Sequence, residues 1–123
     1  MIHLETNFLI HALRSGTDED TKLRAWLDEE GPVGLSAMTW AEFLCGPLNP
    51  GDRELGEALF PDIEPVTPAD SVKGAELFNA TGRRSRSLAD CLIAAVALRF
   101  GARVATANVD DFGPFVPHGL VLA

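Results

Sequence analysis

Residues 2–10 read Ile2-His3-Leu4-Glu5-Thr6-Asn7-Phe8-Leu9-Ile10. Ile2 to Leu4 have the length and character of a short buried strand. Thr6 or Asn7 then caps a helix that runs to about Arg14, and Gly16 ends it. The same unit, a short apolar strand followed by a capped helix, recurs along the chain. Val33 to Leu35 reads as a strand, and the stretch Ser36 to Thr39 opens a helix carrying Trp40, Phe43 and Leu44 that stops at Gly46-Pro47. Arg103 to Thr106 is a further strand, Asn108 to Phe112 a turn, and Leu120 to Leu122 a last strand at a sheet edge. Alternation of this kind predicts an α/β fold with a mostly parallel central sheet.

Between these units the helix signals are strong. Thr17-Asp18-Glu19-Asp20 resembles a capping box with acids in the first turn. The helix it opens has Leu23, Trp26 and Leu27 on its apolar face and is stopped by Gly31-Pro32. Arg53 to Phe60 reads as helical, and Ile63 to Val66 as a short strand. Thr67-Pro68-Ala69-Asp70 starts a helix with proline at its first position, ending near Ala80 and Gly82. Ser87-Leu88-Ala89-Asp90 opens the most apolar helix, which closes at Phe100-Gly101.

At 123 residues, the expectation is one domain with one core. Hydrophobic residues make up 46% and charged residues 23%, the composition of an ordinary soluble globule. No apolar run approaches the ~20 residues of a membrane helix, and the N-terminus has neither the basic region nor the cleavage site of a secretory signal. A cytoplasmic location is therefore expected. Cys45 and Cys91 form neither a CxxC nor a zinc pattern with His3, His11 or His118, so buried free thiols are expected. The net charge of −8 argues against broad binding to nucleic acid through basic patches and favours a basic partner. The exception is the cluster Arg83, Arg84 and Arg86, immediately before Asp90.

In a parallel α/β sheet, sites form outside the carboxyl ends of the strands. Glu5 directly follows the first strand and Asn108 follows a late one by two residues, while Glu42 and Asp90 lie near helix starts facing the same edge. With Asp111, these residues form a set of oxygen ligands suited to Mg²⁺ or Mn²⁺ rather than zinc. A metal held this way provides a nucleophilic water and charge relief for phosphodiester hydrolysis. Each residue also has an ordinary reading. Glu5 supports a helix N-terminus; Glu42 with Thr39, or Asp90 with Ser87, forms a capping box; Asp110 and Asp111 are turn residues. The arginine trio is either a solvated face or a contact for phosphate or an acidic partner. Asn7 either bonds a ligating carboxylate or caps its helix. The histidines are read as packing or surface residues, and Trp26 and Trp40 as core.

The stretches IHLETNFLI, LSAMTWAEFLCG, SLADCLIAAVALRFGARVAT and TANVDDF together resemble the PIN-domain family, and within it the VapC-type toxins of toxin–antitoxin pairs. The resemblance covers nearly the whole chain. It implies a three-layer α/β/α fold, Mg²⁺-dependent endoribonuclease activity, dimerisation, and a cognate antitoxin whose basic side chain blocks the site. The family's four acidic positions fall on Glu5, Glu42, Asp90 and Asn108, with Asp111 close by. By this resemblance Glu5 and Asp90 hold the principal metal, Glu42 completes its shell, and Asn108 and Asp111 orient the water or a second metal. Arg83, Arg84 and Arg86 then grip RNA or meet the antitoxin. Two positions depart from the pattern. The first is Glu5 where the family has Asp, which extends the carboxylate by about 1.5 Å. The second is Asn108, which brings no charge.

Glu5 also favours an alternative, a PIN-fold module that binds RNA or a protein without cutting. Phosphotransfer and nucleotide-binding folds of similar topology are disfavoured. Glu5-Thr6-Asn7 is not an Asp-x-Asp pair, neither Lys22 nor Lys73 is placed as a late-strand lysine, and no glycine-rich turn follows the first strand.

Overall fold

The computed structural model describes residues 1–29 and 31–123. Four strands, β1 (Ile2–Leu4), β2 (Val33–Gly34), β3 (Arg103–Ala105) and β4 (Val121–Leu122), form one sheet in the order β2-β1-β3-β4, parallel throughout. Among the described residues seven α-helices accompany it: α1 (Thr6–Ala12), α2 (Asp18–Asp28), α3 (Ala37–Cys45), α4 (Asp52–Leu59), α5 (Pro68–Ala80), α6 (Leu88–Arg99) and α7 (Val109–Phe112). A 3₁₀ helix spans Gly113–His118.

Strand alternation divides the core into two layers. Ile2 and Leu4 of β1, with Ala105 of β3, pack with Phe8, Leu9, Leu23, Leu35 and Phe43. Val104 packs on the other face with Leu77, Ile93, Ala94, Phe112 and Phe115. Burial on both faces explains why the strands read as apolar runs. The second layer is close-packed: a Cβ added to Gly74 of α5 would lie 2.8 Å from Leu92 Cδ2 of α6, so the missing side chain is what permits this approach. Arg99, at the end of α6, donates to both oxygens of Asp70 (2.9–3.2 Å) and to Pro65 O (2.9 Å), pinning α5 to α6.

The cap residues Thr17, Ser36 and Thr67 stand where the sequence places them. Each accepts a hydrogen bond from the backbone N–H three residues on, and Thr67 with Asp70 completes a capping box.

Other expectations are corrected. The N-cap of α1 is Glu5, not Thr6 or Asn7, and the helix ends at Ala12 rather than near Arg14. Ile63 to Val66 is not a strand: only Glu64 bridges to Ser36, because Pro65 has no N–H with which to extend the ladder. Asn108 to Phe112 is not a simple turn but leads into α7, whose first turn carries Asp110 and Asp111 in the place a helix dipole favours. Cys91 is buried, but Cys45 is exposed; it lies two residues beyond Phe43, off the stripe that Thr39 and Phe43 bury. Trp26 and Trp40 are partly buried on the first core layer, stacked on Phe8 and Phe43. Leu27 is exposed.

His3 points to the opposite face from Ile2 and Leu4. It is 1% exposed, lies against Phe100, and has no partner for either ring nitrogen among the described residues. Burial, with the N-terminal amine and Arg99 nearby, lowers its pKa to about 4.

Candidate active site

The chain passes from β1 to β2 on one side and returns through β3 on the other, so the sheet's connection order reverses between β1 and β3. A crevice opens at the carboxyl ends of strands at such a point. Leu4 pairs with Ala105 there, and Glu5 N donates to Ala105 O at 3.0 Å.

Glu5 is 3% exposed. Its Oε1 accepts from Phe8 N at 2.8 Å, capping α1, and from Ala107 N at 3.2 Å, just past β3. One carboxylate oxygen thus ties together the two strand ends that form the crevice. Oε2 receives no hydrogen bond from the described residues.

Glu42 lies on α3, six residues beyond the cap Ser36, so Thr39 and Glu42 do not form a capping box. Its Oε1 accepts from Thr6 Oγ1 at 2.6 Å. Thr6 is therefore a site residue that the sequence reading passed over as a cap. Asp90 lies in the first turn of α6, whose N-cap Ser87 makes no side-chain cap bond; the Ser87 hydroxyl donates to Arg84 O instead. The capping-box reading of Asp90 does not hold either.

Electrostatics bind the set together. The Asp90 carboxyl is raised from 3.8 to about 7, first by burial and then by the negative charges of Asp111, Glu42 and Glu5, with Arg84 acting in the opposite direction. Burial alone raises a carboxyl, but the further rise from Asp111, Glu42 and Glu5 requires those charges to lie close by. Glu5, Glu42, Asp90 and Asp111 thus share one neighbourhood, although they come from four separate stretches of sequence. Asn108 is exposed at the N-cap of α7 and makes no side-chain cap bond; its backbone N–H donates to Thr106 Oγ1. Asn7 is exposed on α1, and no hydrogen bond joins it to Glu5 or Glu42 among the described residues.

By chemistry, the donors fit a hard dication: all are carboxylate oxygens whose mutual repulsion a cation relieves. Among the described residues, no three His, Cys, Asp or Glu side chains stand close enough to enclose an ion directly.

The arginine trio divides. Arg83 bonds Asn79 Oδ1 and lies over Phe78. Arg84 Nη2 donates to Asp111 O at 3.2 Å, and its guanidinium lies over Phe115. Arg86 is exposed.

Comparisons with known proteins bear on the fold and the family. A search of curated proteins returned no match. Among solved structures, FitAcB from Neisseria gonorrhoeae is similar at 29% identity and TM-score 0.72, with 100% of this chain and 97% of that chain covered. VapBC2 from Rickettsia felis, bound to a DNA fragment from its promoter, gives 18% identity and TM-score 0.77 over 100% and 98%. VapC20 from Mycobacterium tuberculosis, described as a sarcin-ricin loop cleaving toxin, gives 19% and 0.71 over 100% and 98%. The latter two, at such identities, speak for the fold alone. The sequence profile of the PIN domain matches residues 2–113, nearly the whole chain, and the chain belongs to the PIN domain family.

Proposed function

We propose that this chain is a Mg²⁺- or Mn²⁺-dependent endoribonuclease, the toxin component of a toxin–antitoxin pair. The observation that carries this reading is the cluster of Glu5, Glu42, Asp90 and Asp111 at the β1/β3 crevice, with Asp90 raised to about 7 by its neighbours. The PIN family match and a structural neighbour described as a toxin–antitoxin complex from Klebsiella pneumoniae support it. So does the neighbour described as cleaving the sarcin-ricin loop.

In this reading Glu5, Glu42, Asp90 and Asp111 hold the metal, partly through water. A bound Mg²⁺ supplies charge relief on the phosphate and a more acidic water. The residues of the chain set the geometry. Glu5 fixes the two strand ends through Phe8 N and Ala107 N, and Thr6 orients the Glu42 carboxylate. Asn108 orients a water beside Glu5. Asn7 and the segment that carries Arg83, Arg84 and Arg86 lie on the RNA side. The antitoxin carries a basic segment, which suits both the acidic crevice and the net charge of −8. The active form is a homodimer that works in the cytoplasm. Among the described residues no helix is long and apolar enough to cross a membrane.

The test is cleavage of a structured RNA pool with Mn²⁺ or Mg²⁺, comparing this chain with Glu5→Asp and Asp90→Asn and with EDTA controls. Cutting by this chain or by Glu5→Asp that EDTA and Asp90→Asn both abolish supports the reading. If only Glu5→Asp cuts, Glu5 impairs the natural chemistry. No cutting by any form, with RNA still bound, favours the second reading, a non-cleaving binding module. The observation on its side is that Glu5 Oε1 is already engaged by two backbone donors.

A further inference from the structure

The segment between α5 and α6 has an unusual backbone. Gly82, Arg83 and Arg86 all have positive φ, at 84°, 53° and 66°. For an arginine this conformation is uncommon and persists only where the surroundings hold it. Here they do so. Arg83 N donates to Phe78 O at the end of α5, while Ser87 N and Ser87 Oγ both donate to Arg84 O. Arg84 thus sits between two left-handed residues with its own carbonyl doubly bonded.

Its side chain crosses to the far wall of the crevice. Nη2 reaches Asp111 O, 27 residues away, and the guanidinium rests 5.8 Å from the Phe115 ring centroid. Nε is buried with no acceptor among the described residues. The guanidinium is therefore oriented by Asp111 and Phe115 at the expense of one of its own donors. Arg83 is turned away onto Asn79 and Phe78. Among the described residues Arg86 has no hydrogen-bond or ion-pair partner.

We infer that Arg84 is a positioning residue, a strap that ties the Asp111 segment to the start of α6 and so sets the spacing between Asp90 and Asp111, leaving Arg86 as the arginine that meets substrate phosphate. The inference rests on the nuclease reading for its catalytic consequence but not for the strap itself. A planar guanidinium both bonds the carbonyl and stacks on the ring; a lysine ammonium is a point charge without that plane.

The test uses Arg84→Met, Arg84→Lys and Arg86→Ala. Amide hydrogen exchange is measured on the metal-free protein, and RNA cleavage is measured over a Mn²⁺ series. For Arg84→Met, exchange in residues 109–118 speeds up at least about tenfold while α5 is unchanged. Its kcat falls about ten- to a hundredfold, as when an outer-shell partner is lost, with KM within about twofold, and half-saturating Mn²⁺ rises. Arg84→Lys restores little of either. Arg86→Ala raises KM several-fold and lowers the salt dependence of binding by about one phosphate contact. Unchanged exchange in 109–118 for Arg84→Met overturns the strap whatever the RNA result. A rise in KM alone would make Arg84 a substrate contact and also overturn it. If exchange responds as expected but no form cuts RNA, with Glu5 or with Glu5→Asp in the same background, the strap stands and the nuclease reading falls.

Discussion

Replacing Asp90 with asparagine should stabilise the metal-free protein at pH 8 while destroying its proposed activity. The Asp90 carboxyl stands at about 7 against an ordinary 3.8, through burial first and then Asp111, Glu42 and Glu5. A carboxyl whose folded pKa is raised imposes no penalty below about pH 4, where both states are protonated. Its share of stability is lost as pH rises from about 4 through about 7. About three pH units at 1.36 kcal/mol each give a ceiling of roughly 4 kcal/mol. Asp90 is partly exposed, and solvent screening reduces this to roughly 2 kcal/mol. Asparagine keeps the shape and cannot ionise. The assay is urea unfolding of this chain and of Asp90→Asn in EDTA at half-unit steps from pH 4 to 8. Taking the difference between the two cancels the titrating groups that do not interact with Asp90. The curves should meet near pH 4 and separate by about 2 kcal/mol at pH 8, roughly 8 °C in Tm for a chain this size. Added Mg²⁺ should close the gap by stabilising only the unmodified chain. A difference that does not vary with pH, or a variant that loses stability at pH 8, would refute the reasoning.

Three further outcomes follow from the same geometry. His3, neutral and held at about 4, contributes stability that is full above about pH 6.5 and lost as pH falls towards 4. His3→Leu should therefore gain on the unmodified chain in that window, by up to roughly 3 kcal/mol, a gain that grows as pH falls where that of Asp90→Asn grows as pH rises; urea unfolding at pH 5 and 8 checks it. Thr6→Val removes the 2.6 Å bond to Glu42 and should weaken half-saturating Mn²⁺ about tenfold with Tm within a few degrees, as read by metal titration and melting. Glu5→Ala removes a helix cap and the tie to Ala107 and should cost about 2 kcal/mol in urea unfolding. Glu5→Gln, which keeps an acceptor oxygen, should recover most of that stability and none of the metal affinity.

The sequence was legible where chemistry is local. Thr17, Ser36 and Thr67 each bond an N–H three residues away, so their helices announce themselves, and strand–helix alternation led to the parallel sheet. The four carboxylates could be read as a set because each follows a strand or lies in the first turns of a helix at one edge. What escaped was long-range or ambiguous. Glu5 at a strand–helix junction reads the same whether it or Thr6 is the cap. The Thr6–Glu42 bond spans 36 residues and Arg84 to Asp111 spans 27; no periodicity reports such pairs. Ile63 to Val66 has strand-like residues, but Pro65 denies it a ladder. His3 sits in an apolar run, and its burial on the face opposite Ile2 and Leu4 emerges only once both sheet faces are covered.

The most direct test of a single carboxylate metal site is calorimetric titration of Mn²⁺ into this chain and into Asp90→Asn at pH 7, in two buffers of different ionisation enthalpy. With Asp90 at about 7, the account predicts binding to the unmodified chain with release of about half a proton, and binding at least about tenfold weaker with no such release in the variant. Equal Mn²⁺ affinity in the two proteins, with no proton released by either, would contradict it.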